Sequence, residues 1–150
     1  MSELNELYQQ TILDHNRNPR NYGVLEDADG EADGHNPLCG DKVRIYIALE
    51  GDTIRSARFE GVGCAISTAS ASLMTEALEG KTLDEAEELF AGFQELVTTG
   101  QDAMDAIESL GKLAVFAGVR AYPMRVKCAT LAWHTFKAAL NQETATVTTE

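Results

Sequence analysis

Three cysteines and one aspartate are the side chains of this sequence whose types and spacing could do chemistry together. Cys39 and Asp41 flank Gly40 in the stretch NPLCGD, Cys64 follows GVG, and Cys128 ends the stretch RVKC. Gly40 permits a sharp bend, so that a thiolate and a carboxylate can point at one centre. Zinc takes four ligands in a tetrahedron and accepts both sulfur and oxygen, so these side chains form a complete set. The spacing lacks a paired CxxC, and burial as a small apolar side chain is the alternative for each cysteine.

The residues around Cys64 favour a thiolate at that position. The thiol lies at the predicted N-terminus of a helix rich in small residues, where the helix dipole and free N–H groups stabilise negative charge. A thiolate is both a nucleophile and a metal ligand. The alternative is that Gly61 and Gly63 only allow this helix to pack closely on a sheet.

Arg125 and Lys127 precede Cys128 by less than one helical turn. Their positive charge would favour a thiolate at Cys128 or attract an anionic persulfide. The alternative is that both are solvated basic residues on an acidic protein.

Structural or surface roles are expected for the three histidines. His15 lies at the end of the first predicted helix, and His134 follows Trp133 in the last one. His35 precedes the Cys39 loop and is the histidine that could approach the metal from that loop.

The charge balance and the N-terminus exclude several classes of function. Aspartate and glutamate outnumber lysine and arginine by 24 to 12, a formal net charge of −12, so the surface should repel nucleic acid and anionic lipid. The first 20 residues contain no long apolar run, which predicts neither a secretory signal nor a membrane span. A cytoplasmic location is therefore expected, where the three cysteines would remain thiols.

The elements that must position these side chains follow an α+β pattern, a small antiparallel sheet with helices packed on one face. Residues 1–140 are predicted to form one domain and residues 141–150 a flexible tail. The periodicity predicts a helix over 3–16, a strand over 42–49 and a second strand in TIRSARFEG. It also predicts a helix from Cys64 to Gly80, a helix opened by a capping box of Thr82 and Glu85, a helix through about 102–117 and a last helix from Pro123 or Met124.

Four stretches together resemble the iron-sulfur cluster assembly scaffold family, the IscU and NifU N-terminal-like proteins, and specifically its SufU-type branch. They are LYQQTILDHNRNPRNYG, NPLCGD, GVGCAISTASASLM and RVKCATLAW, in the order of the family. The resemblance implies a three-stranded antiparallel sheet with helices packed against it. It also implies a zinc ion held by Cys39, Asp41, Cys64 and Cys128.

The SufU-type branch implies a zinc-dependent sulfurtransferase. Such a protein accepts sulfur from the persulfide of a pyridoxal-phosphate cysteine desulfurase of the SufS type and passes it to a downstream cluster-assembly complex. Cys39 matches the acceptor position, and Arg125 could steady the transferred sulfur. The alternative is a scaffold that assembles a [2Fe-2S] cluster, or binds iron, on the same ligands.

Three features separate the sequence from the IscU-type branch. That branch has a histidine directly before the third cysteine and a Leu-Pro-Pro-Val-Lys motif nearby, whereas this sequence has YPMRVKC. The segment TTGQDAMDAIESLGKLAVFAG resembles the extra insertion of the SufU branch. These features favour sulfur transfer over chaperone docking and cluster building.

Overall fold

The computed structural model describes residues 2–37, 40–98, 110–141 and 147–148. Three antiparallel strands form a sheet with helices packed against it, as the sequence predicts, and a two-residue fourth strand extends this sheet in the order β3-β2-β1-β4. The elements are α1 (Ser2–Arg17), β1 (Gly30–Asn36), β2 (Asp41–Glu50), β3 (Thr53–Val62), α2 (Ala65–Leu78), α3 (Leu83–Thr98), a 3-10 helix (Gly111–Ala121), α4 (Pro123–Leu140) and β4 (Val147–Thr148).

The central strand β2 separates an inner face, covered by helices, from an outer face. Val43, Ile45 and Ile47 are buried, whereas Lys42 and Arg44 are exposed. This is the period-two alternation of a sheet with one face on the core. Helices α2 and α4 cover the inner face.

A bulge in the β2–β3 hairpin changes which side chains of β3 reach the core. Ala48 pairs with Ser56 and Leu49 with Ile54, so Arg55 is the extra residue. Ile54, Ala57 and Phe59 are all buried, although strict alternation would put Ile54 on the opposite face from the other two. The bulge is a tertiary feature that alternation in the sequence does not predict.

Two predicted helix starts are confirmed. The backbone N–H of Thr82 donates to Glu85 Oε1 at 3.0 Å, and the N–H of Glu85 donates to Thr82 Oγ1 at 3.2 Å. This reciprocal pair is the predicted capping box. Helix α4 begins at Pro123, whose fixed φ suits a first helical turn.

Three features of the structure differ from what the sequence predicts. Leu13 of α1 is 47% exposed, although its side chain is apolar. The helix predicted over 102–117 falls partly outside the described residues, and Gly111–Ala121 form a 3-10 helix. In the segment expected to be a tail, Val147 and Thr148 pair in parallel with Gly34 and His35 of β1.

An aromatic cluster formed by Phe90, Phe93, Phe116 and Trp133 joins α3, the 3-10 helix and α4. The rings of Phe93 and Trp133 stack with centroids 4.7 Å apart, and Phe116 meets Phe93 edge-on at 5.5 Å. Phe90 meets Trp133 edge-on at 6.2 Å. Because Trp133 lies on α4, the cluster fixes the helix that carries Cys128.

None of the described helices is long and apolar enough to cross a bilayer.

A buried polar contact attaches α1 to α2. His15 Nδ1 lies 2.7 Å from Ser72 Oγ, and the backbone N–H of Arg20 donates to the same hydroxyl at 2.8 Å. Ser72 is fully buried and His15 is nearly so. The contact therefore fixes α1 and the turn after it against the helix that begins beyond Cys64.

Candidate metal centre

The ends of three elements bring Asp41, Cys64 and Cys128 together. Asp41 is the first residue of β2, Cys64 caps α2, and Cys128 lies in the second turn of α4. One carboxylate oxygen and the two sulfurs all lie within 4.8 Å of one another. The structure thus places three of the four predicted ligands in one cluster.

Asp41 is fully buried and aimed at Cys64. Its Oδ1 accepts the backbone N–H of Cys64 at 2.8 Å, and its Oδ2 lies 3.8 Å from Cys64 Sγ. Within the part of the chain that the structure describes, no lysine or arginine forms an ion pair with Asp41. A buried carboxylate is costly unless a positive charge compensates it, and a metal cation at the cluster would do so.

Gly63 leaves the space that the Asp41 carboxylate occupies. A Cβ added at Gly63 would lie 2.7 Å from Asp41 Oδ1, closer than real Cβ contacts. A Cβ at Gly61 would instead meet the backbone carbonyl of Lys42, so this glycine allows close packing of β3 on β2. Neither contact is the helix-on-sheet packing that the sequence offered as the alternative, since Gly63 makes room for a candidate ligand and Gly61 for the pairing of β3 with β2.

Cys64 has the environment of a thiolate. Its backbone is extended at the N-cap of α2, and its Sγ accepts the backbone N–H of Ser67 at 3.4 Å. A hydrogen bond from the Cys128 thiol, with those from the amides of Ser67 and Ile66, lowers the pKa of Cys64 to about 7. Burial and the negative charge of Asp41 oppose this shift. The half-buried sulfur of Cys64 is thus readily deprotonated, as a metal ligand must be.

Cys128 is buried on the inner side of α4, 3% exposed. The side-chain nitrogen Nδ2 of Asn36 lies 4.0 Å from its Sγ. Asn36 was not among the site residues predicted from the sequence. The available signal was its place in NPLCGD, as a polar residue on a strand face otherwise occupied by Ala32 and Gly34.

Cys39 lies outside the described residues, so its ligation stays a prediction. The two described ends of its segment are held together, because Asn36 and Asp41 are paired in the sheet and the Gly40 N–H donates to Asn36 O at 2.9 Å. Gly40 has φ +74, the left-handed conformation that favours glycine. The predicted sharp bend at this glycine is therefore present.

Arg125 lies in the first turn of α4, three residues before Cys128. Its guanidinium carbon lies 4.5 Å from the centroid of the Tyr122 ring. Arg125 is exposed, as are Tyr122 and Met124 beside it, whereas Lys127 is half-buried. The structure thus gives this end of α4 a cationic and apolar surface.

His35 and His134 lie outside the cluster. His35 is on the outer face of the sheet, opposite Lys42, where it lines a cleft of about 570 Å³. Asp41 faces the other side, because neighbouring residues of a strand alternate. The His134 ring packs edge-on against Phe90 at 5.4 Å, a structural role of the kind expected from the sequence.

Two thiols and a carboxylate fit more than one metal group. Zinc accepts sulfur, nitrogen and oxygen ligands, and iron-sulfur clusters are held by cysteine thiolates. The buried Asp41 carboxylate, which pairs with no lysine or arginine of the described residues, indicates a cationic occupant. Zinc fits this donor set, with Cys39 as the predicted fourth ligand.

The fold and the cluster define a small α+β domain with a candidate metal centre of cysteines and an aspartate. A model of the NifU-like N-terminal domain matches residues 7–142. The chain therefore belongs to the NifU-like N-terminal domain family, and the family prediction from four motifs is confirmed.

Curated relatives include proteins of both branches. The chain is 42% identical over 142 residues to the zinc-dependent sulfurtransferase SufU of Bacillus subtilis (strain 168), covering 95% of each chain. It is 39% identical over 142 residues to the iron-sulfur cluster assembly scaffold protein IscU of Streptococcus pyogenes serotype M1, covering 95% of this chain and 87% of the relative.

A solved structure has the same fold. The crystal structure of FiSufU from the thermophile Fervidobacterium islandicum AW-1 matches with a TM-score of 0.81 and 38% identity, covering 90% of this chain and 97% of that one. The predicted α+β architecture, with its antiparallel sheet and packed helices, is thereby confirmed.

Proposed function

We propose that this protein is a zinc-dependent sulfurtransferase of iron-sulfur cluster assembly, which accepts persulfide sulfur on Cys39 from a cysteine desulfurase. The observation that supports this most directly is the convergence of Asp41, Cys64 and Cys128 at three element ends. The similarity to SufU of Bacillus subtilis supports the choice of metal and activity. When bound, zinc would hold its cysteine ligands as thiolates.

Cys39 is the proposed nucleophile. Its thiolate attacks the terminal sulfur of the partner's persulfide, and a new S–S bond forms on Cys39 as the partner's S–S bond breaks. The electron pair of the broken bond leaves on the partner's cysteine, so no external oxidant or reductant is required. A second thiolate, from the downstream acceptor, then removes the sulfur in the same way.

Two side chains of the described cluster keep the site ready for this exchange. Asp41 holds the Cys64 N–H through Oδ1, which fixes the start of α2. Cys64, with its pKa lowered to about 7, is available as a thiolate near neutral pH. Asp41, Cys64 and Cys128 would therefore remain as ligands of the metal while Cys39 reacts.

Arg125 is proposed to support the transfer from outside the cluster. Its exposed guanidinium, held over Tyr122, can pair with the anionic persulfide or with acids of the partner. The proposed partners are a pyridoxal-phosphate cysteine desulfurase of the SufS type and a downstream cluster-assembly complex. The reducing cytoplasm is the proposed location, since free thiols are required.

The alternative is a scaffold that assembles a [2Fe-2S] cluster on the same residues. The similarity to IscU of Streptococcus pyogenes supports this second candidate, and thiolates are the usual ligands of such clusters. The two functions differ in the group that the site holds, which is zinc or a [2Fe-2S] cluster. They also differ in the role of Cys39, which is the sulfur acceptor of a sulfurtransferase but one of several cluster ligands in a scaffold.

The deciding experiment measures turnover of a purified cysteine desulfurase with and without this protein, with metal content determined on the same sample. We expect strong stimulation by protein that holds one zinc per chain, and its loss in Cys39→Ala. Arg125→Gln should weaken stimulation, whereas Arg44→Gln, which changes an arginine on the outer sheet face, should not.

Two results would contradict the proposed function. Stimulation that survives in Cys39→Ala would remove the acceptor from the mechanism. Absence of stimulation, combined with a cluster that forms under anaerobic reconstitution and passes to an apo-acceptor, would establish the scaffold instead.

A further inference from the structure

Asn36 is a fully buried polar residue at the end of β1, directly opposite Asp41 in the antiparallel sheet. Side chains of such a pair point to the same face, with Cβ atoms about 4.5–5.5 Å apart. The Asn36 side chain therefore faces the candidate metal centre. A buried amide is costly unless its donors are used, so its partners matter.

The partner on the metal side is the sulfur of Cys128, 4.0 Å from Asn36 Nδ2. Sulfur is large and diffuse and accepts longer hydrogen bonds than oxygen does. A cysteine thiolate only accepts hydrogen bonds, and the amide NH₂ group supplies donors. This N–H···S contact joins residues 92 positions apart in the sequence.

The backbone of Asn36 makes a second contact, with the residue directly before Asp41. Its carbonyl oxygen accepts the N–H of Gly40 at 2.9 Å, which closes the bend before Asp41. One residue therefore contacts the sulfur of Cys128 with its side chain and binds the N–H of Gly40 with its main chain.

We propose that Asn36 is a positioning residue of the metal centre, whose amide N–H donates to the Cys128 sulfur and orients it toward the metal. This inference rests on the proposed function, since it assumes that the cluster holds zinc. A hydrogen bond to a ligand sulfur restricts its rotamer and withdraws charge from it. Partners of this kind typically change metal affinity by roughly 10–100-fold.

The test replaces Asn36 by leucine, which has nearly the same size and no donor. Zinc affinity is measured by competition with a chromophoric chelator, and cobalt is then substituted to record the sulfur-to-metal charge-transfer band. Asn36→Leu should weaken zinc binding by roughly 10-fold or more. It should also move the band to lower energy, because the sulfur lone pairs lose a stabilising donor.

The matched control is Thr135→Val. Thr135 is fully buried on α4, its hydroxyl donates to Leu131 O at 2.7 Å, and it faces β1 at Gly34. This variant loses a buried hydrogen bond at the same helix–strand contact without touching Cys128. It should leave both zinc affinity and the cobalt band unchanged.

A second measurement uses the unmodified protein, so that it does not depend on the folding of a variant. In protein loaded with an NMR-active cadmium isotope, an N–H···S–Cd bond should give a scalar correlation between the metal and a side-chain amide proton of Asn36. Unchanged zinc affinity and cobalt band in Asn36→Leu, or no such correlation in cadmium-loaded protein, would overturn the inference. Failure of the unmodified protein to bind zinc or cobalt would instead overturn the proposed function.

Discussion

The aromatic cluster and the candidate metal centre share helix α4 but are specified in different ways. Trp133 and its ring neighbours fill space between three helices, so volume and shape decide their packing. At the metal centre, single atoms decide the geometry, such as Asp41 Oδ1 on the Cys64 N–H and the missing Cβ of Gly63. The comparison predicts that stability and metal binding respond to different substitutions.

The largest expected effect on stability is in the aromatic cluster. Phe93→Ala removes a ring that is 1% exposed and stacked on Trp133, which should lower the free energy of unfolding by about 3–5 kcal/mol. Zinc affinity of the folded protein should stay within about twofold, since the variant alters no ligand. Urea denaturation followed by circular dichroism and chelator competition measure the two quantities.

Cys64→Ala tests the opposite case, because it removes a candidate metal ligand and leaves the aromatic cluster intact. It should abolish tight zinc binding, while the free energy of unfolding without metal changes less than in Phe93→Ala. A large loss of zinc affinity in Phe93→Ala, at a temperature where that variant is folded, would show that the two regions are coupled.

An intermediate effect is expected from a glycine-to-alanine substitution, which adds one methyl group either at the metal centre or in α3 beside the aromatic cluster. Gly63→Ala places a Cβ against the Asp41 carboxylate, which should cost about 1–3 kcal/mol and displace this oxygen, so zinc affinity falls. Gly92→Ala adds a methyl group in α3 that meets only the flexible end of Leu110, at 3.1 Å. Zinc affinity should not change there, and the helix gains from alanine.

Chelator competition and urea denaturation on both glycine variants check this contrast. Equal zinc affinities in Gly63→Ala and Gly92→Ala would mean that the Asp41 carboxylate does not bind the metal through the described position.

The smallest effect concerns the buried polar contact of His15 with Ser72, which lies outside the candidate metal ligands. Burial, with a smaller contribution from Arg20, lowers the pKa of His15, against the opposing charges of Glu76 and Asp14. The unfolded chain takes up a proton near the ordinary value of 6.5 while the folded protein does not. The free energy of unfolding should therefore fall as the pH decreases below 6.5, by at most about 1.4 kcal/mol per pH unit for one proton.

The His15→Gln variant isolates this contribution. Urea denaturation of both proteins between pH 7 and 5, at equal zinc saturation, should give a shallower pH dependence for the variant. Burial also lowers the pKa of His134, which titrates in both proteins and cancels in the difference. Parallel curves would show that His15 does not titrate differently in the two states.

Local signals explain which parts of the fold and site could be predicted from the sequence. The capping box of Thr82 and Glu85 and the start of α2 at Cys64 depend on neighbours within one turn, and both were predicted. The bulge at Arg55 and the pairing of Val147 with β1 depend on strands that are distant in sequence, and neither was predicted.

The same distinction holds within the candidate site. The meeting of Asp41, Cys64 and Cys128 was predicted because their residue types suggested that they bind one metal ion, not because the pattern specified the distances. Asn36 was missed, since its contact with Cys128 exists only after β1 packs on α4. Ligation by Cys39 stays a prediction.

The position of Trp133 also gives the chain an optical reporter. It is the one tryptophan in the sequence, it is 1% exposed, and among the described residues its Nε1 has no hydrogen-bond partner. Its fluorescence should therefore lie at short wavelength in the folded protein and shift to longer wavelength on unfolding. Trp133 also follows Cys128 by five residues, about 7.5 Å along α4, so cobalt–thiolate absorption at the candidate centre should quench this emission. One fluorophore would thus report on both the core and the metal.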